Sequence, residues 1–264
     1  MMTAAIVRTS MVKVLFVASM VGICPRIMMA ATPQELLSQC ETKIKGAPFA
    51  DLTVEVCLNA ERAIRSVSAN SREHVKILEQ LALVVGYHSD LKPQEKNYYM
   101  QALEAARQGF GDLSPETFEA RTNLGAIALV AHDWQGARKM YQELISGIKK
   151  QNADIISNQE INAFSSIAKT YRIEETLSPQ TYKIADHLRA EKNYLDMLQG
   201  PNLETDFGKS FIGDALLEVA YLEMKQGALD RAEKDTQEAI AAFEAAGSRT
   251  NMADKLLQKI RSMK

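Results

Sequence analysis

Aromatic residues make up only 6% of this 264-residue chain, with a single tryptophan, Trp134, and there are just 13 glycines and 7 prolines. No segment alternates polar and apolar residues as a half-buried strand does. The glycines give Gly109-Phe110-Gly111 and nothing resembling a dinucleotide fingerprint or a phosphate loop. Neither HExxH nor a Ser-centred nucleophile elbow occurs. The formal net charge of −2 removes the broad cationic surface that nucleic acid or an anionic membrane requires. Carboxylates are abundant, but on solvated helix faces that is ordinary, and no two of them stand out as an acid–base pair. These absences argue against an enzyme and leave binding as the work to be explained.

What is present is globular. A chain that is 46% hydrophobic and 24% charged is neither disordered nor collagenous. Its length fits one large or two ordinary domains. Ala, Glu, Leu, Lys and Gln abound, which favours helix.

Residues 1–34 contain no Asp or Glu, the first acid being Glu35. Arg8 and Lys13 precede the apolar run Val14–Cys24, followed by Pro25-Arg26 and the small pair Ala30-Ala31. This is the order of a secretory signal, with residues 1–31 removed after Ala30 or Ala31. A mitochondrial presequence, which is also acid-poor, an uncleaved anchor and a misplaced start are the alternatives. The eleven residues of the run are too few to span a bilayer, where about 20 are needed. The remaining chain, 32–264, carries 28 basic and 33 acidic residues, a net of −5. It is expected to be periplasmic or secreted, with no stable membrane insertion.

Helix-start signals recur along 32–264. Thr32-Pro33-Gln34-Glu35 has the form of a capping box with proline at the first helical position. Ser114-Pro115-Glu116-Thr117 and Ser178-Pro179-Gln180-Thr181 repeat the signal, and Asn70-Ser71-Arg72-Glu73 is another cap followed by Glu. Apolar residues between them recur at helical spacing, as in Leu78, Leu81, Val85. The pattern predicts eleven helices, over about 33–46, 51–68, 71–89, 93–109, 115–131, 134–150, 157–174, 179–199, 205–226, 229–246 and 249–263. Short loops make successive helices antiparallel neighbours.

The helices also repeat. Cys57, Tyr99 and Tyr141 stand 42 residues apart in the second helices of successive pairs. In the first helices Leu83, Gly125, Ala168 and Ala220 fall at intervals of 42, 43 and 52. A helix pair repeated at such a period must stack on its neighbours to bury its apolar face, which gives a solenoid. The 52-residue step implies an extra turn or a longer loop near 173–204.

Two segments resemble tetratricopeptide repeats. In 115–148, Asn123-Leu124-Gly125 is followed twelve residues after the glycine by Ala137, then by Tyr141; in 214–246, Ala220 precedes Ala232 by the same twelve. The stretch Gly111 to Gly125 is similar to the longer, kinesin-light-chain-like form of the repeat, whose period is also 42. The resemblance implies an all-α, right-handed solenoid of about five helix pairs with a capping helix near 249–263. It further implies a groove for a peptide or partner protein along the first helices. Counted from the small-residue positions, its lining is Gln80, Val84 and Tyr87, then Thr122, Ala126 and Leu129, then Ser165, Lys169 and Arg172, then Leu217, Tyr221 and Met224. Lys169 and Arg172 form the one basic spot, which either holds a peptide carboxylate or is a pair of ordinary exposed helix charges. Thr122 and Ala126 replace the Lys and Asn of the chaperone-tail clamp, which disfavours that specialised role. Trp134 reads as a packing residue.

Past the leader only Cys40 and Cys57 remain. Their midpoint falls in the turn Gly46-Ala47-Pro48-Phe49, so both thiols sit at one height of an antiparallel hairpin, on positions that face each other. Either they form a disulfide, favoured in an oxidising compartment, or they are two buried apolar cysteines. The four histidines, His74, His88, His132 and His187, are scattered. His187 and Glu191, at i and i+4, have the one spacing that could begin a metal site. No second His or Cys joins them locally, so a surface pair or core contact is the preferred reading and no metal or other cofactor is expected. The expected function is a non-enzymatic adaptor of the cell envelope or extracellular space. The alternatives are a helical support or cell-wall-binding module for an envelope enzyme and a secreted factor acting on another cell.

Overall fold

The computed structural model describes residues 31–151, 157–199 and 206–264. Residues 1–30 of the leader therefore lie outside the described residues. Thr32–Lys264 is one compact unit, and its described residues form eleven α-helices and no strand: α1 (Pro33–Gly46), α2 (Asp51–Ser68), α3 (Arg72–Gly86), α4 (Glu95–Phe110), α5 (Pro115–Val130), α6 (Trp134–Gln151), α7 (Asn158–Leu177), α8 (Ile184–Leu198), α9 (Asp206–Lys225), α10 (Leu229–Ala245) and α11 (Asn251–Met263). Each helix packs on the next, and α1 touches α3, α3 touches α5 and α9 touches α11. That is the contact pattern of helix pairs stacked into a solenoid. No helix among the described residues is long and apolar enough to cross a membrane.

Side-chain caps start the first helices. The Thr32 hydroxyl accepts from the Glu35 N–H, and the Thr32 N–H donates to Glu35 Oε2 at 2.7 Å, closing the capping box. Ser71, Ser114 and Ser157 accept from the N–H three residues on, which starts α3, α5 and α7. Ser178-Pro179 is the exception, because it ends a helix rather than starting one. α7 runs on to Leu177, the Ser178 N–H closes back on the Glu174 carbonyl, and the Thr181 N–H closes on Ser178. Proline at the second position of a turn meets the same φ requirement as proline at a helix start. α8 therefore begins only at Ile184.

Cys40 and Cys57 are joined by a disulfide with Cα atoms 4.9 Å apart, stapling α1 to α2. Around it lie Leu37, Ile64, Leu81 and Val84, the core of the first pairs. Further cores follow along the chain, one around Phe118, Tyr141 and Leu144 and another around Leu198, Ala215 and Phe243. α11 closes the end, with Ile260 against Met224 and Ala232.

Candidate functional site

The first helices carry the candidate groove, and their register decides which side chains reach it. The buried residues of α5, Thr117, Phe118, Ala120, Leu124, Gly125 and Ala128, correspond one by one to His74, Val75, Ile77, Leu81, Ala82 and Val85 of α3. The offset is 43, not 42. Close packing confirms it: a Cβ on Gly125 would stand 2.7 Å from the Tyr141 ring, and Ala82 packs in one cluster with Tyr99, the residue 42 before Tyr141. A slip of one residue turns a helix by about 100°. Val84, read as groove lining, is consequently 0% exposed in the core, and Leu83, read as the small position, is exposed. The α3 counterparts of Thr122, Ala126 and Leu129 are Glu79, Leu83 and Gly86 instead. Met224 is also withdrawn, at 4% exposure, because the capping helix α11 covers it.

The other residues of the implied lining are distributed as follows. Gln80 is half-buried, in a column with Asn123, Ser166 and Glu218, each two residues before the small positions Ala82, Gly125, Ala168 and Ala220. Tyr87 is exposed just past α3, edge-on to Phe49 with ring centroids 5.1 Å apart. Leu129 and Leu217 are half-buried against the second and third cores. Tyr221 is half-buried with Lys225 Nζ 5.2 Å from its ring, Lys169 is exposed, and Ala126 is exposed beside the groove. Thr122 lines a cavity of about 280 Å³ between α5 and α7. Its walls are Glu119 and Asn123 on one side and Gln159, Asn162 and Ser166 on the other, over Tyr141 and Leu144. The cavity offers carboxamides and hydroxyls, groups able both to donate and to accept. The Asn123 Nδ2 donates to Glu79 Oε1 at 2.9 Å, tying α5 to α3 at the rim. Burial pushes the Glu79 carboxyl up to about 7, with Glu119 adding to the rise against the pull of Asn123 and Lys76.

A second constellation occupies α7, α8 and α9. Ala168 and Ala190 stand 22 residues apart where Gly125 and Ala137 stand 12 apart, so the longer step of the repeat lies within the α7–α8 hairpin. This hairpin encloses polar groups, Tyr182 from the added segment and the others from α7 and α8. Arg172 grips Glu191 through both carboxylate oxygens, Nε to Oε1 at 2.7 Å and Nη2 to Oε2 at 2.8 Å. Arg172 is thus neither free for a peptide carboxylate nor an ordinary surface charge. His187 and Glu191 are both 0% exposed, with His187 Nε2 3.2 Å from Glu191 Oε1 and Nδ1 2.9 Å from the Tyr182 hydroxyl. The i, i+4 pair is a core contact rather than a surface one. Burial pushes the Glu191 carboxyl up, but hydrogen bonds from His187 and Arg172 together with the Arg172 charge hold it below its usual value. Glu218 of α9 closes the group, 4.0 Å from His187 Nε2; burial leaves its carboxyl raised despite Arg172. Outside this group, Lys225 pairs with Glu175, and Arg138 of α6 pairs with Glu174 while stacking on Tyr171. Among the described residues, His187, Glu191 and Glu218 form a group whose ligand atoms are close enough to hold a metal ion.

Several site residues had no place in the sequence reading. Glu79 follows directly from the 43-residue register, and Glu218 from the polar column through Asn123 and Ser166. Tyr182 sits in the inserted turn, where periodicity gives no signal.

No protein-family model and no curated protein matches the sequence. Solved structures do match. One is BtubC (BKLC) from P. vanneervenii, 11% identical, with 82% of this chain and 81% of that one covered at a TM-score of 0.59. Another is a Podosopora anserina protein of nearly identical TPR-like repeats, described as a kinesin light chain. It is 10% identical, with 81% of this chain and 97% of that one covered at a TM-score of 0.58. At such identities the likeness is one of fold: this chain is a TPR-like all-α solenoid.

Proposed function

We propose that this chain is a non-enzymatic scaffold that holds an extended segment of another protein in the groove along its first helices, in the periplasm or outside the cell. The observation that carries the reading is the cavity between α5 and α7. Its Thr122, Asn123, Gln159, Asn162 and Ser166 present donors and acceptors over an apolar floor, the mixture that satisfies a peptide main chain. The TPR-like fold supports a protein partner. Export is supported by the acid-free leader of residues 1–31 and by the Cys40–Cys57 bridge, which persists in oxidising compartments.

The test is a crosslinked pull-down of the full-length protein from envelope and medium fractions, with mass-spectrometric identification. Asn162→Trp and Thr122→Trp fill the cavity from its two sides without entering the core, since both positions are exposed. One partner in near-stoichiometric yield, lost in both variants, is the expected result. A partner retained by both folded variants, or a protein retained on purified cell wall with no partner, would overturn the groove reading.

A further inference from the structure

His187 and Glu191 lie one turn apart on α8, fully buried, and Glu218 reaches them from α9. His187 Nε2 is 3.2 Å from Glu191 Oε1 and 4.0 Å from Glu218 Oε1, and the three residues each offer a ligand atom within 4.8 Å of the others. Around a tetrahedral ion with bonds of about 2.0–2.1 Å, neighbouring donors stand about 3.3 Å apart. His187 and Glu191 already meet that spacing, and Glu218, whose side chain is 25% exposed, has room to close the remainder.

The surroundings are those that a metal-bound histidine uses. With Nε2 on the ion, Nδ1 carries the proton and donates it to the Tyr182 oxygen, now 2.9 Å away, which fixes the tautomer and the ring. Tyr171 stacks on the imidazole at 5.8 Å between centroids. Arg172 Nε already donates to Oε1 of Glu191 at 2.7 Å, so an ion takes the second lone pair of that oxygen, the one now facing His187 Nε2 at 3.2 Å. Oε2 keeps its 2.8 Å bond from Arg172 Nη2 as the outer support of a ligating carboxylate. The charge balance also favours a dication. Glu175, Glu191, Glu218 and Asp214 face Arg172 and Lys225 across this network, four carboxylates against two cations. A divalent ion cancels the remaining two negative charges. One imidazole nitrogen with two carboxylates suits zinc and its first-row neighbours, not calcium or magnesium, which prefer all-oxygen shells.

We propose that His187, Glu191 and Glu218 form a zinc-class divalent cation site that clamps α8 to α9, with a water at the fourth position on the Glu218 side. This assignment is independent of the groove reading.

The test uses the full-length protein without a polyhistidine tag, stripped with chelator and titrated calorimetrically with ZnCl₂, and with CoCl₂ as a visible-absorption probe. One equivalent of zinc, a melting midpoint several degrees higher, and cobalt d–d bands of a four-coordinate ion are expected. Glu218→Gln and His187→Gln should each weaken binding at least tenfold, and Tyr182→Phe, which touches no ion, should weaken it about tenfold through the lost outer support. No zinc uptake by the wild-type protein would overturn the proposal. So would uptake left unchanged in Glu218→Gln and His187→Gln that remain folded by circular dichroism, because the zinc would then sit elsewhere.

Discussion

The α5–α6 and α7–α8 pairs occupy equivalent places in the repeat and close in opposite ways. In the first, twelve residues separate Gly125 from Ala137, and contact is made by the Tyr141 ring lying on a glycine that has no side chain to keep it off. In the second the corresponding separation is 22, and Arg172 and His187 close on Glu191 while Tyr182, from the added turn, bonds His187. The short hairpin packs apolar surface and leaves its polar residues to the groove. The long one, with ten more residues, encloses an internal polar network. α7 therefore has two polar faces, Gln159, Asn162 and Ser166 toward the cavity it shares with α5 and Arg172 toward the buried carboxylate of α8.

The largest effect should come from cutting the buried pair. Arg172→Met leaves the Glu191 carboxylate, 0% exposed, with His187 as its one remaining donor in the hairpin. Removing one partner of a buried ion pair costs about 3–5 kcal/mol, and the 40% exposure of the Arg172 side chain places this case at the lower end. Urea unfolding measures it. The double variant Arg172→Met/Glu191→Met should recover most of the loss, since apolar replacement of a whole pair is often neutral. A loss below about 1 kcal/mol in the single variant would mean that α7 and α8 are held by their apolar contacts, as α5 and α6 are.

The short pair should break by crowding instead. Gly125→Val places a Cβ 2.7 Å from the Tyr141 ring, so the ring must shift toward the cavity beside it or α5 must move away. Overpacking of this kind costs about 1–3 kcal/mol. Adding Tyr141→Leu should relieve it, and the same urea experiment reads both.

How far the sequence told this story follows from the same contrast. Caps and apolar spacing are local, so ten of the helix starts are read within two residues; the eleventh, at Ser178-Pro179, failed because a turn and a helix start ask for the same φ from proline. The disulfide was legible because hairpin geometry fixes which residues share a height. In α3 the implied groove lining was read one residue out of register. First helices repeat at 43 and second helices at 42, so aligning α3 by its partner's period turned it by about 100° and exchanged Leu83 for Ala82 and Val84 for Leu83. The polar cluster was half legible, since His187–Glu191 is a local spacing whereas Glu218 arrives from another helix through the fold.

The smallest effect concerns two carboxylates that titrate with opposite signs. Glu79, at the groove rim, has its carboxyl raised to about 7 by burial and by Glu119. The folded protein therefore binds a proton there that the unfolded chain, titrating near 4.5, has released, and stability falls as pH rises from about 4.5 to 7 and is flat above. Glu191 is held below its usual value by His187 and Arg172, after the opposing push of burial, so its contribution is present near neutral pH and is lost as pH falls through the acid range. Glu79→Gln keeps the oxygen that accepts from Asn123 and removes the charge. It should stabilise the protein by about 1–2 kcal/mol at pH 8, after allowance for solvent screening at a half-buried site, and by nothing measurable at pH 4.5. Thermal unfolding across that range checks it. Equal gains at both pH values would show that packing at the rim, not the carboxyl's proton, sets the difference. A gain confined to high pH would identify Glu79 as a charge that the groove holds without a counterion, and that a cationic side chain of a bound segment would satisfy.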